Sequence, residues 1–176
     1  MTLNFIIMFI CLFIPSMMLL SFGILTLLQN FFSAPYVPSS AKKLAAALEE
    51  LGLPQAGRFI DLGSGDGGIT LMAAKYFHQS SGVEINPYLW LFSNLRRLFH
   101  PKRKNIHFIC KSFFRMKFHD YDVMYIYLFP ELMAKLEDKL FAELPKGSTI
   151  ISHTFKFPNH QPERTINKHY HIYSTK

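Results

Sequence analysis

The chain has 176 residues, 49% of them hydrophobic and 18% charged, with 19 Lys plus Arg against 12 Asp plus Glu. That length accommodates one compact domain of roughly 100–200 residues and excludes a multidomain assembly. The first Lys, Arg, Asp or Glu is Lys42, so all formal charge lies beyond residue 41 and two physically different segments are joined. Cys11 and Cys110 are the only cysteines, one inside an apolar run and one in a predicted strand. They argue against a disulfide framework or a cysteine zinc site and for a reducing compartment.

Residues 3 to 28 run for 26 positions without a formal charge, long enough at about 1.5 Å per residue to cross a hydrocarbon core of about 30 Å. The expectation is a transmembrane anchor over residues 1–33. Pro15 and Gly23 are tolerated in a lipid-embedded helix, where Ser16, Ser21 or bound water can satisfy a freed carbonyl. A cleaved signal peptide fits less well, because no Lys or Arg precedes the apolar run and Pro35 follows Ala34. Lys42 and Lys43 then predict a single-pass protein with the N-terminus outside and the domain cytoplasmic, or matrix-facing in an organelle.

Residues 34–57 read as a connector and helix. Phe31, Phe32 and Tyr36 suit a membrane interface, and SAPYVPSS supplies two prolines and three serines. A helix starts at Ser39 or Ser40 as N-cap, carries Leu44, Leu48 and Leu51 on one stripe, and stops at Gly52.

From residue 58 to 176 short apolar runs alternate with helical patterns: RFIDL, a helix through DGGITLMAAKYF, SSGVE, a helix through NPYLWLFSNLRRLF, IHFIC, YDVMYIYL, a helix through PELMAKLEDKLFAEL, and STIISHTF. This alternation predicts an α/β fold with a parallel sheet. HYHIYST follows a proline-containing loop and reads as a last, antiparallel strand at the sheet edge.

Chemistry concentrates at IDLGSGDGG, residues 60–68, where the first strand enters its helix. Gly63, Gly65 and Gly67 let a ligand approach backbone and helix N-terminus. Gly63, Gly65 and Gly68 also satisfy the G-x-G-x-x-G dinucleotide pattern. Asp61 decides between the two: an acid two residues before the first glycine is unhelpful beside a pyrophosphate but suits the ammonium of S-adenosylmethionine (SAM). Glu84 ends the next strand, 19 residues after Gly65, where a carboxylate can accept both ribose hydroxyls. Alone, the turn is consistent with a tight connection and Glu84 with a solvated strand end; together they point to SAM rather than NAD.

APYVPS, FIDLGSGDG, GVEINPYLW, YLFPELM, KLEDKLFAEL and SHTFKFP occur in one order across residues 34–158. In this the chain resembles the small membrane-anchored lysine N-methyltransferases of the ATP synthase c-subunit and adenine nucleotide translocase type, with their prokaryotic relatives. The resemblance implies a class I, Rossmann-like, seven-stranded-type fold, methyl transfer from SAM to a lysine ε-amine, and a membrane-protein substrate. By position it implies that Asp61, Gly63, Ser64, Gly65 and Glu84 hold SAM and that the APYVPS loop, with Tyr36 and Ser39, closes over it. It also places TFKFPNHQPERTINKHY at the acceptor entrance. The chain departs from its relatives at Gly68, where they often have Arg, and at Lys111, where they have an acid; Ser112, Phe113 or a backbone amide stands in for that acid at the adenine.

A lysine acceptor must arrive neutral and aligned with the sulfonium methyl, and desolvation in an aromatic channel lowers its pKa. Tyr127, Phe129 and Pro130 at the end of the fourth strand are the channel candidates, with Thr154 and Phe155 at the end of the fifth. Glu131 either attracts the incoming ammonium or stabilises its helix N-terminus. The fourth strand lacks the (D/N/S)PP(Y/F/W) signature used on planar amino groups, which argues against nucleic-acid bases. Five basic residues within LRRLFHPKRK, residues 95–104, suit anionic lipid headgroups or a solvated helix end. His153, His160, His169 and His171 are irregularly spaced, and no metal is expected. Two other readings stay open: methylation of a lipid headgroup or small amine, and a non-catalytic SAM-binding membrane module.

Overall fold

The computed structural model describes residues 2–32, 40–53 and 57–176. The chain divides into two units, Met1–Pro35 and Tyr36–Lys176.

The first unit is one helix, α1, Thr2–Phe32, with Pro15 inside it. Its stretch Asn4–Ile24 is long and apolar enough to cross a membrane by length and composition. Ser16 Oγ donates to the Phe13 carbonyl at 2.9 Å and Ser21 Oγ to that of Met18 at 3.0 Å. The carbonyl that Pro15 leaves without an amide is that of Cys11. A hydroxyl one residue past the proline reaches back to the carbonyl three before its own, so Ser16 serves Phe13 and not Cys11.

The second unit opens with α2, Ala41–Leu51, capped by Ser40 and closed by Gly52 at φ 59°. Leu44, Ala47 and Leu48 are buried. Then follow β1 (Arg58–Leu62), α3 (Gly68–Ala73), β2 (Gln79–Glu84), α4 (Pro87–Leu98), β3 (Ile106–Cys110), β4 (Val123–Ile126), α5 (Pro130–Glu143), β5 (Thr149–His153), β6 (Arg164–Ile166) and β7 (Tyr170–Ser174). The seven strands form one sheet in the order β3-β2-β1-β4-β5-β7-β6. The first five are parallel and β7 pairs antiparallel with β5 and β6.

Side chains alternate across this sheet. Phe59, Tyr125, Ile151, Tyr170 and Ile172 share one face and pack with α2 and α3. Tyr173 points to the other face, where Phe141 of α5 meets its ring edge-on at 6.2 Å. Glu137 of α5 is fully buried, and its carboxylate accepts from the Asn159 backbone N–H at 2.9 Å and from Asn159 Nδ2 at 3.0 Å. His160 Nδ1 lies 2.7 Å from the same carboxylate, and its ring stacks on Phe141. The segment after β5 is thereby pinned to α5.

Two features differ from the sequence expectation. The last strand is not at the sheet edge: β7 is inserted beside β5, and the edge is β6, inside the stretch read as a loop. Three residues following Pro162 carry too little alternation to register as a strand. Asn167 and Lys168, at φ 50° and 61°, close them into a hairpin with β7. The helix read through DGGITLMAAKYF is also short. Regular α-helix ends at Ala73, and hydrogen-bonded turns carry the chain through Phe77 toward β2.

Candidate active site

The carboxyl ends of β1, β2 and β4 meet at the point where the strand order reverses, which is where ligands bind in open α/β sheets. After Leu62 the chain turns through Gly63, Gly65 and Gly67 at φ 76°, 54° and 78°. The turn is held to β2: the Gly63 and Ser64 amides donate to the Val83 carbonyl at 2.9 and 3.0 Å. The Gly65 amide donates to Glu84 Oε2 at 2.9 Å, while Glu84 Oε1 accepts from the Asn86 amide at 2.8 Å. Glu84 is thus buried and oriented by two backbone donors, one on each oxygen. Asn86 in turn caps α4, accepting from the Tyr88 amide.

Gly82 is equally constrained, although nothing in the local sequence marks it. A Cβ there would lie 2.6 Å from Thr70 Oγ1, 2.8 Å from Phe108 Cδ1 and 2.8 Å from Ser64 Cβ. Only a glycine on β2 lets α3, β3 and the loop close together.

Asp61, the penultimate residue of β1, is buried and accepts from Thr70 Oγ1 at 2.9 Å. Burial pushes its carboxyl up to about 7, against the Thr70 hydrogen bond and with help from the nearby Glu84 and Asp66 charges. Among the described residues no cation is paired with it. Among the described residues Ser64 Oγ, which is buried, has no hydrogen-bond partner. A buried acid lacking a counter-charge, an unpartnered hydroxyl and a carboxylate facing a glycine turn fit a cationic amino-acid group linked to a ribose.

The loop's outer side is closed by Asp66, whose Oδ1 accepts from the Gly68 amide at 3.0 Å and whose carboxylate pairs with Arg96 of α4. Arg96 also donates to the Asp66 carbonyl at 2.8 Å. Its Nη1 lies 3.9 Å from where a Cβ at Gly68 would stand, so a guanidinium reaches position 68 from another helix. At the end of β3 the Lys111 amide donates to the Glu84 carbonyl at 3.1 Å. Ser112 and Phe113 follow immediately, both half-buried, with the Phe113 ring 4.8 Å from that of Phe114. Ile85, beside Glu84, is a large exposed apolar side chain.

On the other side of the turn, Leu128 Cδ2 would lie 3.6 Å from a Cβ at Gly63, so the end of β4 adjoins the loop. Tyr127 is half-buried, its ring 4.3 Å from His153. Phe129 caps α5, Pro130 is its first residue, and Glu131 is exposed in its first turn. Phe129 meets Phe155 with ring centroids 5.8 Å apart. That contact is set by Thr154, whose φ of 70° is unusual for a β-branched residue and turns the chain sharply as β5 ends. Tyr36 and Ser39 lie outside the described residues.

His153 belongs with these aromatics, a position that its spacing among the histidines did not signal. Its Nδ1 is 3.0 Å from Tyr125 Oη, and its ring stacks on Tyr170 at 4.8 Å. Burial, then the neighbouring His169 and Lys43, push its pKa down to about 4, so the ring is neutral at physiological pH. The register that pairs His153 with Tyr170 exists only in the folded sheet. His160 is held by Glu137, and His171 contacts Thr165 and the Thr154 carbonyl.

The sheet order, the glycine turn and the carboxylate at the end of β2 define a class I SAM-dependent methyltransferase fold. A solved RNA methyltransferase from Salinibacter ruber, in complex with S-adenosyl-L-homocysteine, superposes with a TM-score of 0.74 at 26% identity, covering 79% of this chain and 94% of that one. Residues 61–164 match the model of the ANTKMT methyltransferase domain, and the chain belongs to that family. Among curated relatives, a lysine N-methyltransferase of the ATP synthase c-subunit, from Xenopus laevis, is 33% identical over 76% of this chain and 59% of its own length. An adenine nucleotide translocase lysine N-methyltransferase from Mus musculus is 33% identical over 76% and 58%. A protein-lysine N-methyltransferase from Saccharolobus islandicus is 31% identical over 75% and 83%. The chain spans about three-fifths of the length of the two animal relatives.

Proposed function

We propose that this protein is a membrane-anchored methyltransferase that moves a methyl group from SAM to the ε-amine of a lysine on a membrane protein. The observation that carries the reading is the Gly65–Glu84 hydrogen bond, which ties a buried carboxylate to a glycine turn at the carboxyl ends of the parallel strands. In this account Asp61 and the unpartnered Ser64 hydroxyl receive the amino-acid end of SAM, and Gly63 and Gly65 give it backbone access. Glu84 takes the ribose hydroxyls. Ile85, Ser112 and Phe113 flank the adenine, and Tyr36 and Ser39 close over the cofactor.

Bound SAM supplies an electrophilic methyl; the chain's own residues supply position and desolvation. Tyr127, Phe129, Pro130 and Phe155 line the acceptor channel, joined by His153. An ammonium has no lone pair, so the channel must favour the neutral amine, and burial among rings does this. A neutral His153 adds a polar edge without adding a charge. Glu131, exposed at the rim, attracts the incoming lysine. The lysine specificity named for the relatives supports this acceptor; the RNA named for the structural neighbour is set aside because fold does not carry substrate.

The organisation we propose is an anchor over 1–33, a connector and helix over 34–57 and the catalytic domain over 58–176. The anchor leaves the N-terminus outside and the domain cytoplasmic, or matrix-facing in an organelle. Incubation of the full chain with methyl-labelled SAM and host membranes tests the function. Label recovered as methyllysine in a discrete membrane protein is expected. Label in the organic extract alone would replace the acceptor with a lipid headgroup, and absence of label despite SAM binding would remove the catalytic role.

A further inference from the structure

Helix α4 is built inside out. A helix lying on a sheet normally turns its large apolar residues inward. Here the residue of α4 that is fully buried is the small, polar Ser93, set beside the half-buried Trp90 against the glycine turn, where a Cβ on Gly67 would come within 2.8 Å of Ser93 Cβ. Trp90 Nε1 donates to the Phe108 carbonyl at 3.0 Å, and Arg97 Nη1 to that of Ile106 at 3.1 Å. The apolar side faces outward. Leu91, Phe92, Leu95 and Leu98, at helical spacing, are 44–51% exposed, and Phe99 at the C-cap is 89% exposed. Exposed apolar stripes of this kind mark an interaction surface rather than a solvated one.

Charge selects the occupant. Between Glu84 and Asp120 there is no Asp or Glu, while Arg96, Arg97, Lys102, Arg103, Lys104, Lys111, Arg115 and Lys117 all fall there. Lys75 and Lys102 both press on His100, lowering its pKa beyond the effect of burial, so basic side chains cluster at the end of the stripe. A second copy of the chain would bring the same positive field against itself. An apolar helix face edged with Lys and Arg is complementary to a bilayer surface bearing anionic phosphate headgroups.

We infer that α4 is a second membrane contact, in which Leu91, Phe92, Leu95, Leu98 and Phe99 enter the headgroup–acyl boundary of an anionic leaflet while Lys102, Arg103 and Lys104 engage its phosphates. This contact belongs to the catalytic unit itself and does not rest on the methyl-transfer reading. It fixes the tilt of the domain on the membrane, which a tether alone does not.

The test places the full chain in vesicles of phosphatidylcholine and phosphatidylglycerol at about 3:1, with and without acyl chains brominated near the glycerol end. Trp90 is the only tryptophan and, on the inward side of α4, serves as internal reference. Phe99→Trp adds an indole at the exposed end of the stripe. Its emission is expected to shift to the blue and to lose about half its intensity to the brominated lipid, given insertion by about 5–10 Å. The combined Lys102→Gln, Arg103→Gln, Lys104→Gln change should abolish that loss while leaving the Trp90 signal, and hence the fold, unaltered. No quenching beyond the Trp90 reference overturns the inference. A blue shift without bromine quenching also does, because a protein surface then covers the stripe. Equal quenching in phosphatidylcholine alone overturns the anionic selectivity.

Discussion

Asp61→Asn isolates the energetic cost of burying the Asp61 carboxyl. The Asp61 carboxyl has an ordinary value of 3.8 and is pushed up to about 7 in the folded protein, chiefly by burial. Below pH 3.8 both folded and unfolded chains hold the proton and the group contributes nothing. Between 3.8 and 7 the unfolded chain releases its proton and the folded chain keeps it, so stability falls as pH rises. At about 1.4 kcal/mol per unit the loss reaches roughly 4 kcal/mol by pH 7, an upper bound. Asparagine has the same shape and can still accept from Thr70, but it carries no charge to desolvate. Asp61→Asn is therefore expected to gain on the parent by about 2–3 kcal/mol between pH 5 and pH 8. Urea unfolding of the detergent-solubilised full chain, followed by the emission of Trp90, measures it. A difference between variant and parent that is the same at the two pH values would mean that the Asp61 carboxyl is not desolvated on folding. A bound ammonium should also draw the Asp61 carboxyl down, releasing about half a proton at pH 7 that the variant cannot release. Calorimetry in buffers of unequal ionisation enthalpy reads that difference.

Glu84→Ala strands two buried amides and removes the proposed ribose acceptor, so SAM affinity should fall about 100-fold, while Glu84→Gln should retain the fold and part of the affinity; unchanged calorimetric binding in a folded Ala variant removes the ribose role. Gly82→Ala forces a methyl into Thr70, Phe108 and Ser64 and should cost about 2–3 kcal/mol in chemical unfolding; a neutral result would mean the loop moves freely on β2. Glu137→Ala leaves Asn159 and His160 without their buried acceptor and should lower Tm by about 10 °C, with a shift near zero contradicting the pinning of the post-β5 segment. His153→Arg puts a permanent cation beside Tyr127 and should cut kcat about 100-fold with SAM binding intact. The parent's rate should rise with pH without a His153 inflection between pH 6 and 8, since that ring is already neutral above about 4.

The parts of the fold and site that were legible in the sequence are local ones. Gly63, Gly65 and Asp61 lie within five residues, and Glu84 ends the very next apolar run, so spacing along the chain carried their proximity. The position of β7 was not legible, because strand order in a sheet is a long-range choice that alternation within HYHIYST cannot encode. The association of His153 with Tyr125, Tyr127 and Tyr170 depends on registers among three strands. Gly82 looks like any strand glycine until α3 and Phe108 close over it. Arg96, read within a basic run, closes the glycine turn through Asp66. The apolar residues of α4 were legible as helical but not as outward, since periodicity gives a stripe and not the direction it faces.

If Asp61, the glycine turn and Glu84 form a SAM site opening onto the aromatic ends of β4 and β5, a crystal structure of the full chain with S-adenosylhomocysteine will show it. The ligand's amino group is expected at Asp61, its ribose hydroxyls on Glu84 and its sulfur facing Tyr127 and Phe129. A ligand bound elsewhere, or a sulfur directed away from those rings, would contradict it.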